Sequence, residues 1–230
     1  GYITSNTTIE TSNAIIGIIL VAIGAGAAGC LNMWYDSDID AVMTRTCLRP
    51  IPTGKITKNY ALIYGIVLTI LSVVLLNHFT NTLSAALLLF TILFYIFVYT
   101  IWLKRKTPQN IVIGGAAGAL PPIIGWTIAT NSISLEPISL FFIIFFWTPS
   151  HFWALSLYKA SDYKKANIPM LPVIHGKKQT IRSIIKYSFG LYLISLLPYF
   201  FKFSGLVYFF SAVILGALFI YFSLNLNEKS

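Results

Sequence analysis

Seven stretches of this 230-residue chain are long and apolar enough to cross a bilayer, and no other feature constrains its fold as strongly. They fall near residues 12–31, 60–76, 82–103, 111–130, 138–158, 184–201 and 205–226. A spanning helix needs about 20 mostly apolar residues. The runs are continuous, without the period-2 alternation of barrel strands, so helices are expected. With 57% hydrophobic and 10% charged residues, the chain is too apolar for a soluble enzyme and too ordered in pattern for a disordered one. The net charge of +9 does not indicate a nucleic-acid partner, because the basic residues form no periodic face and sit between uncharged runs. The expected fold is an all-α, polytopic transmembrane bundle in one membrane-embedded domain over residues 1–230, with the bilayer as its surroundings.

The connections alternate in character. Residues 32–59, 104–110 and 159–183 are basic, whereas 77–81, 131–137 and 202–204 are short and nearly uncharged. Fourteen of the 16 Lys and Arg residues lie between Arg45 and Lys186, in or beside the three basic connections. Seven consecutive spans put all three on one side, which the positive-inside rule makes cytoplasmic, or matrix in a mitochondrion. The polar opening, Gly1 to Thr11, reads as a connection between helices. Glycine-rich runs at 24–29 and 114–118 predict close helix packing, and Pro121–Pro122 predicts a kink. Cys30 and Cys47 lack metal-site spacing. The end of span one (Asn32 to Thr57) has a weak echo at the end of span five (His151 to Lys177). Four helices separate the two copies, so they share an orientation, as in a parallel pseudo-repeat with a site at its interface.

Asn32, Asp36 and Asp40 stand at i, i+4 and i+8. A helix continuing past span one places them on one face, while Asp38 points elsewhere. Such a stripe of oxygen donors suits Mg²⁺, which takes its remaining ligands from water and substrate phosphates. Arg45 and Arg49 follow, then Lys55 and Lys58. Carboxylates alone repel a diphosphate; carboxylates holding Mg²⁺ beside guanidinium forks clamp one. A solvated acidic helix end and topology-setting arginines are the plainer alternatives. His151 ends span five beside Phe152 and Trp153, as an iron ligand or as a hydrogen-bonded buried side chain. Lys164, Lys165, Lys177, Lys178 and Arg182 orient the protein or attract anionic groups.

Asn32-x3-Asp36-x3-Asp40 followed by Arg45 and Arg49-Pro50 resembles the first motif of the UbiA-type intramembrane prenyltransferases. Trp102–Asn110, Gly114–Gly118, Pro121–Trp126, Thr148–Leu155 and Asp162–Val173 extend the likeness in order and spacing. The last segment resembles the heme B farnesyltransferase (heme O synthase) branch rather than the quinone- and chlorophyll-making branches. The resemblance implies nine helices, so the first and last are expected beyond Gly1 and Ser230. It implies farnesyl diphosphate and heme B as substrates, and Mg²⁺ held by Asn32, Asp36 and Asp40. It also implies a diphosphate clamp of Arg45, Arg49, Lys55, Lys104 and Arg105, and heme contacts at His151, Asp162 and Tyr163. In the implied reaction a heme vinyl group attacks the allylic cation, and water traps the cation that results. A heme A synthase is the implied partner, and a bacterial inner or mitochondrial inner membrane the implied location. Asp162 departs from the second Asp-x3-Asp pair common among relatives: Tyr158 and Ala166 flank it at i−4 and i+4. A quinone-precursor prenyltransferase and a transporter are the alternative readings; against transport, the carboxylates cluster at one membrane face.

Overall fold

The computed structural model describes residues 10–226, and the opening segment assigned to a connection lies largely outside them. Every regular element among the described residues is a helix, with seven helices or helix pairs able to span a membrane. Helix α1 (Thr11–Tyr35) is followed by a one-residue break at Asp36 and the short α2 (Ser37–Val42). Then come α3 (Lys58–Phe79) and α4 (Thr82–Leu93), which continues as a π-helix over Phe94–Leu103. The fourth span is α5 (Asn110–Ala119) plus α6 (Pro121–Thr130), and α7 (Leu135–Tyr158) is the fifth. After α8 (Ala160–Lys165), the sixth span is α9 (Leu171–Ser195) with α10 (Leu197–Phe200), and α11 (Leu206–Leu224) is the last.

Local chemistry sets these boundaries. Thr57 and Asn81 cap α3 and α4, their side-chain oxygens accepting from the amides of Tyr60 and Ser84. Pro121, lacking an amide hydrogen, starts α6 and breaks the fourth span where the Pro-Pro pair predicted a kink. The sixth span departs from expectation. Two helical pieces stand where one was expected from near residue 184: a short one from Leu171, with Pro172 in its first turn, and the main helix beyond a non-helical break at Gly176. Lys177, Lys178 and Arg182 therefore ride on a helix instead of a loop, and Gly176, at φ +74°, makes the break.

Lipid tails are as apolar as leucine, so close packing and interhelical hydrogen bonds hold such a bundle together. A Cβ on Gly24 would lie 2.8 Å from Leu88 Cδ1, and one on Gly65 2.7 Å from Leu31 Cδ2. Gly114 lies flush against the Tyr99 ring. Polar clasps add to this. Ser84 Oγ donates to Thr127 Oγ1 at 2.9 Å, Asn81 Nδ2 to the Thr127 carbonyl at 2.7 Å, and Ser188 meets Ser223 at 2.9 Å. Each such bond contributes about 0.6 kcal/mol. The helices pack in a series: α3 on α1, α1 on the third span, that span on α5 and α6, these on α7, then α9 and α11.

Candidate active site

The acidic stripe forms because the break after α1 hardly interrupts the helix. Asp36 N donates to the Asn32 carbonyl at 2.9 Å, and Asp40 N to the Asp36 carbonyl at 2.8 Å. The i, i+4, i+8 spacing thus survives, and Asn32, Asp36 and Asp40 are all buried. Asp38 stands off the stripe with its side chain 60% exposed.

Each carboxylate is held by a basic side chain. Arg49 Nη1 reaches both oxygens of Asp40, at 2.8 and 3.0 Å. The Lys104 ammonium donates to Asp36 Oδ2, which also accepts from Asn32 Nδ2 at 2.8 Å. Arg105 forks onto Asp38 with two bonds of 2.8 Å, reaches Asp36 Oδ1 at 3.4 Å, and stacks over the Tyr35 ring at 5.0 Å. That guanidinium holds the Asp38 carboxyl down at a pKa of about 2.

The π-helix completes the constellation. Lys104 N bonds to the Tyr99 carbonyl five residues back, at 2.9 Å. In an α-helix, five residues would turn Lys104 about 140° away from Tyr99; the wider turn brings both onto one face. Thr100 is fully buried, donates to the Tyr95 carbonyl at 2.9 Å and accepts from Asn32 Nδ2 at 3.1 Å. Both amide hydrogens of Asn32 are thereby engaged, which leaves its oxygen as a donor for a cation.

Part of this constellation lines a cavity of about 170 Å³, while Asp36, fully buried, lies behind its wall. Asn32, Asp40, Arg45 and Arg49 line it from the first motif, and Tyr95, Tyr99 and Lys104 from the π-helix. Phe152, Tyr163, Ile168 and Met170 close it from the other half of the chain. The two echoing segments therefore meet, and Thr44 Oγ1 ties them by donating to Asp162 Oδ1 at 2.9 Å. Burial raises the Tyr163 phenol above its ordinary pKa, so it remains an O–H donor at neutral pH. Asn110 also lines the cavity. It is fully buried, its Nδ2 bonds to the Lys104 carbonyl at 3.3 Å, and its Oδ1 has no protein partner. A buried acceptor left unpaired costs about 1–3 kcal/mol, and Asn110 carries that cost beside the cavity.

Not every residue singled out from the sequence gathers here. Arg105 is engaged by Asp38 and Asp36 and does not line the cavity. Lys55 lines a separate, mostly apolar hollow of about 590 Å³ between α1 and α3. His151 is exposed on α7 and stacks on Trp147, ring centroids 4.4 Å apart, while its neighbour Phe152 reaches the cavity. Asp162 is buried behind Thr44 rather than on the cavity wall. Among the described residues, no three His, Cys, Asp or Glu side chains converge as a ready metal site.

A profile of the UbiA prenyltransferase family matches residues 2–230. The chain belongs to that family. The protoheme IX farnesyltransferase of Pelagibacter ubique is 66% identical over 215 residues, covering 94% of this chain and 71% of that protein. That of Acidiphilium cryptum is 56% identical over 214 residues, covering 92% and 68%. Among solved structures, a UbiA homolog from Archaeoglobus fulgidus bound to DMAPP and Mg²⁺ superposes with a TM-score of 0.74 at 20% identity, over 96% of this chain and 75% of that one. The apo UbiA homolog from Aeropyrum pernix gives 0.77 at 18% identity, over 97% and 83%. At these identities the structures establish the shared UbiA fold. Like the family, this chain is an integral membrane prenyltransferase.

Proposed function

We propose that this chain transfers the farnesyl group of farnesyl diphosphate to a vinyl group of heme B, making heme O. The observation that carries this reading is the cavity itself. It joins an Asn/Asp/Arg/Lys constellation that suits a diphosphate to the Asp162–Val173 segment, the one that resembles the heme branch. The high identity to protoheme IX farnesyltransferases supports the same acceptor.

The donor set fits Mg²⁺ in chemistry: Asn32, Asp36 and Asp40 offer hard oxygens at the buried end of one helix. The bound ion would neutralise the diphosphate oxygens and so ease departure of the leaving group. The protein's own residues do the rest. Arg45 lines the cavity and pairs with no carboxylate among the described residues, so it is available to the phosphates. Arg49 and Lys104 exchange a carboxylate partner for a phosphate oxygen when substrate arrives. These cations stabilise the charge that develops as the C1–O bond breaks and the electron pair leaves with diphosphate. The stacked rings of Tyr95 and Tyr99, 5.3 Å apart, present π faces to the allylic cation. The terminal vinyl carbon of heme B then bonds to C1, and water adds to the adjacent cation with loss of a proton.

His151, Asp162 and Tyr163 are the heme-side residues in this scheme, and the basic face carrying the cavity is cytoplasmic or mitochondrial-matrix. A heme A synthase is the partner that would consume the product. The test offers the membrane-reconstituted enzyme farnesyl diphosphate and Mg²⁺ with either heme B or 4-hydroxybenzoate, and reads product mass. Heme gaining a hydrated farnesyl group is the expected result; prenylation of the benzoate alone refutes the acceptor assignment.

A further inference from the structure

Three cations line the cavity, and Arg45 alone pairs with no carboxylate among the described residues. It also lies outside any helix, in the turn that follows α2, and it is exposed. Neither an ion pair nor a helix axis therefore decides where it stands. The turn itself is fastened on both sides of it. Met43 is 3% exposed and packs with Ile39, Ile111, Ile168 and Met170, which come from both halves of the chain. The amides of Thr46 and Cys47 both donate to the Met43 carbonyl at 3.0 Å, which closes the turn around Arg45. Thr44, directly before the arginine, donates its hydroxyl to Asp162 Oδ1 at 2.9 Å. Thr46, directly after it, is 2% exposed and donates its hydroxyl to the Asp40 carbonyl at 3.1 Å. One neighbour is thus tied to the second half of the chain and the other to the acidic stripe. Neither threonine lines the cavity.

Building on the diphosphate reading above, we infer that Thr44 and Thr46 are positioning residues for Arg45. Their two hydroxyls hold its backbone at the cavity wall, so the guanidinium is in place when the anion arrives. A loose turn would present the same charge, but ordering it would be subtracted from the affinity. Asp162 gains a task that needs no second carboxylate: its Oδ1 anchors Thr44 from the other half of the chain. The same clasp couples the Asp162–Val173 segment to the one cavity cation that has no acid of its own.

Binding of the non-reactive thiolodiphosphate analogue of farnesyl diphosphate, with Mg²⁺, to the protein in nanodiscs reads diphosphate recognition without an acceptor. Thr44→Val and Thr46→Val, which replace a hydroxyl by a methyl group, are each expected to weaken binding about fivefold. Thr44→Ser and Thr46→Ser keep the hydroxyl and are expected to bind like the native protein. Arg45→Met is expected to weaken binding about tenfold or more. Adding either valine to Arg45→Met should then cost nothing further, because the residue that the threonine places is gone. Melting temperatures are measured alongside. Lower melting temperatures with unchanged affinity would make the threonines merely structural and overturn the inference. Equal losses of affinity with and without Arg45 would overturn it as well. If the native protein does not bind the analogue, the diphosphate reading falls and the positioning role falls with it. The expected pattern in a protein that fails to prenylate heme upholds the positioning role and refutes the acceptor assignment instead.

Discussion

The Asp36–Lys104 pair is the most exacting test of the site's architecture. Asp36 is fully buried and the Lys104 side chain only 16% exposed. Removing one partner of a buried pair costs about 3–5 kcal/mol, because a charge is left without compensation. In Lys104→Met, Asp36 keeps Asn32 Nδ2 at 2.8 Å and Arg105 Nη2 at 3.4 Å. The loss should therefore fall at the lower bound, about 3 kcal/mol. Asp36→Asn should cost about 1–2 kcal/mol, since the lysine stem lets its ammonium reach water and the amide remains polar. The double variant has no stranded charge. With a coupling of about 2 kcal/mol, it should be destabilised by about 2–3 kcal/mol rather than the 4–5 of the summed singles. Denaturant unfolding of the solubilised protein measures these values, and a product assay on the same samples measures turnover. All three variants should lose about a hundredfold or more in kcat, as when a developing oxyanion loses one donor. Additive stability losses would refute the pairing; recovery of turnover in the double variant would refute its catalytic use.

Arg49→Lys keeps the charge but loses the planar guanidinium whose Nη1 reaches both oxygens of Asp40, so kcat should drop about tenfold or more. Its effect on stability should stay within about 1 kcal/mol, because the arginine side chain is 33% exposed. Chelation of divalent cations should abolish turnover yet leave the melting temperature unchanged, since Arg49, Lys104 and Arg105 already neutralise the acids in the resting protein. A clear drop in melting temperature on chelation would contradict that resting arrangement. Acid titration tests Arg105. The Asp38 pKa is lowered from 3.8 to about 2, so its contribution is complete above pH ~4 and disappears as pH falls through about 2. Melting curves of the native protein and of Asp38→Asn should accordingly converge only near pH 2; convergence at pH 4 would show the pair to be absent.

The spans and the acidic stripe were legible because each rests on a local rule: continuous hydropathy in one case, i+4 spacing in the other. Asn32, Asp36 and Asp40 share a face as that spacing requires, since the Asp36 break preserves the hydrogen bonds on either side of it. The start of α9 was not legible, because Lys177, Lys178 and Arg182 look like loop residues to a hydropathy count and helix residues to Pro172. Tyr95, Tyr99 and Asn110 escaped notice for a second reason. The π-turn that aligns Tyr99 with Lys104 leaves no periodic mark, and Asn110 gains meaning only once its Oδ1 is found buried without a partner. Arg105 and Lys55 mark the limit of composition. A basic residue near a diphosphate motif is equally suited to clamp an acid, as Arg105 does, or to line another surface, as Lys55 does.

The pairing pattern explains how a buried acidic stripe is tolerated before substrate arrives. Asp36, Asp38 and Asp40 face Arg49, Lys104 and Arg105, three charges of each sign in mutual contact. Burying a carboxylate without a partner is costly. The pairs offset that cost in the resting protein. A diphosphate carrying its metal brings both signs at once, so ammonium and guanidinium groups can pass from carboxylate to phosphate while the ion takes their place. In that exchange no charge is left stranded at either stage. Arg45 breaks the symmetry: it faces the cavity without an acidic partner among the described residues, giving the incoming anion a cation that it need not win from a carboxylate.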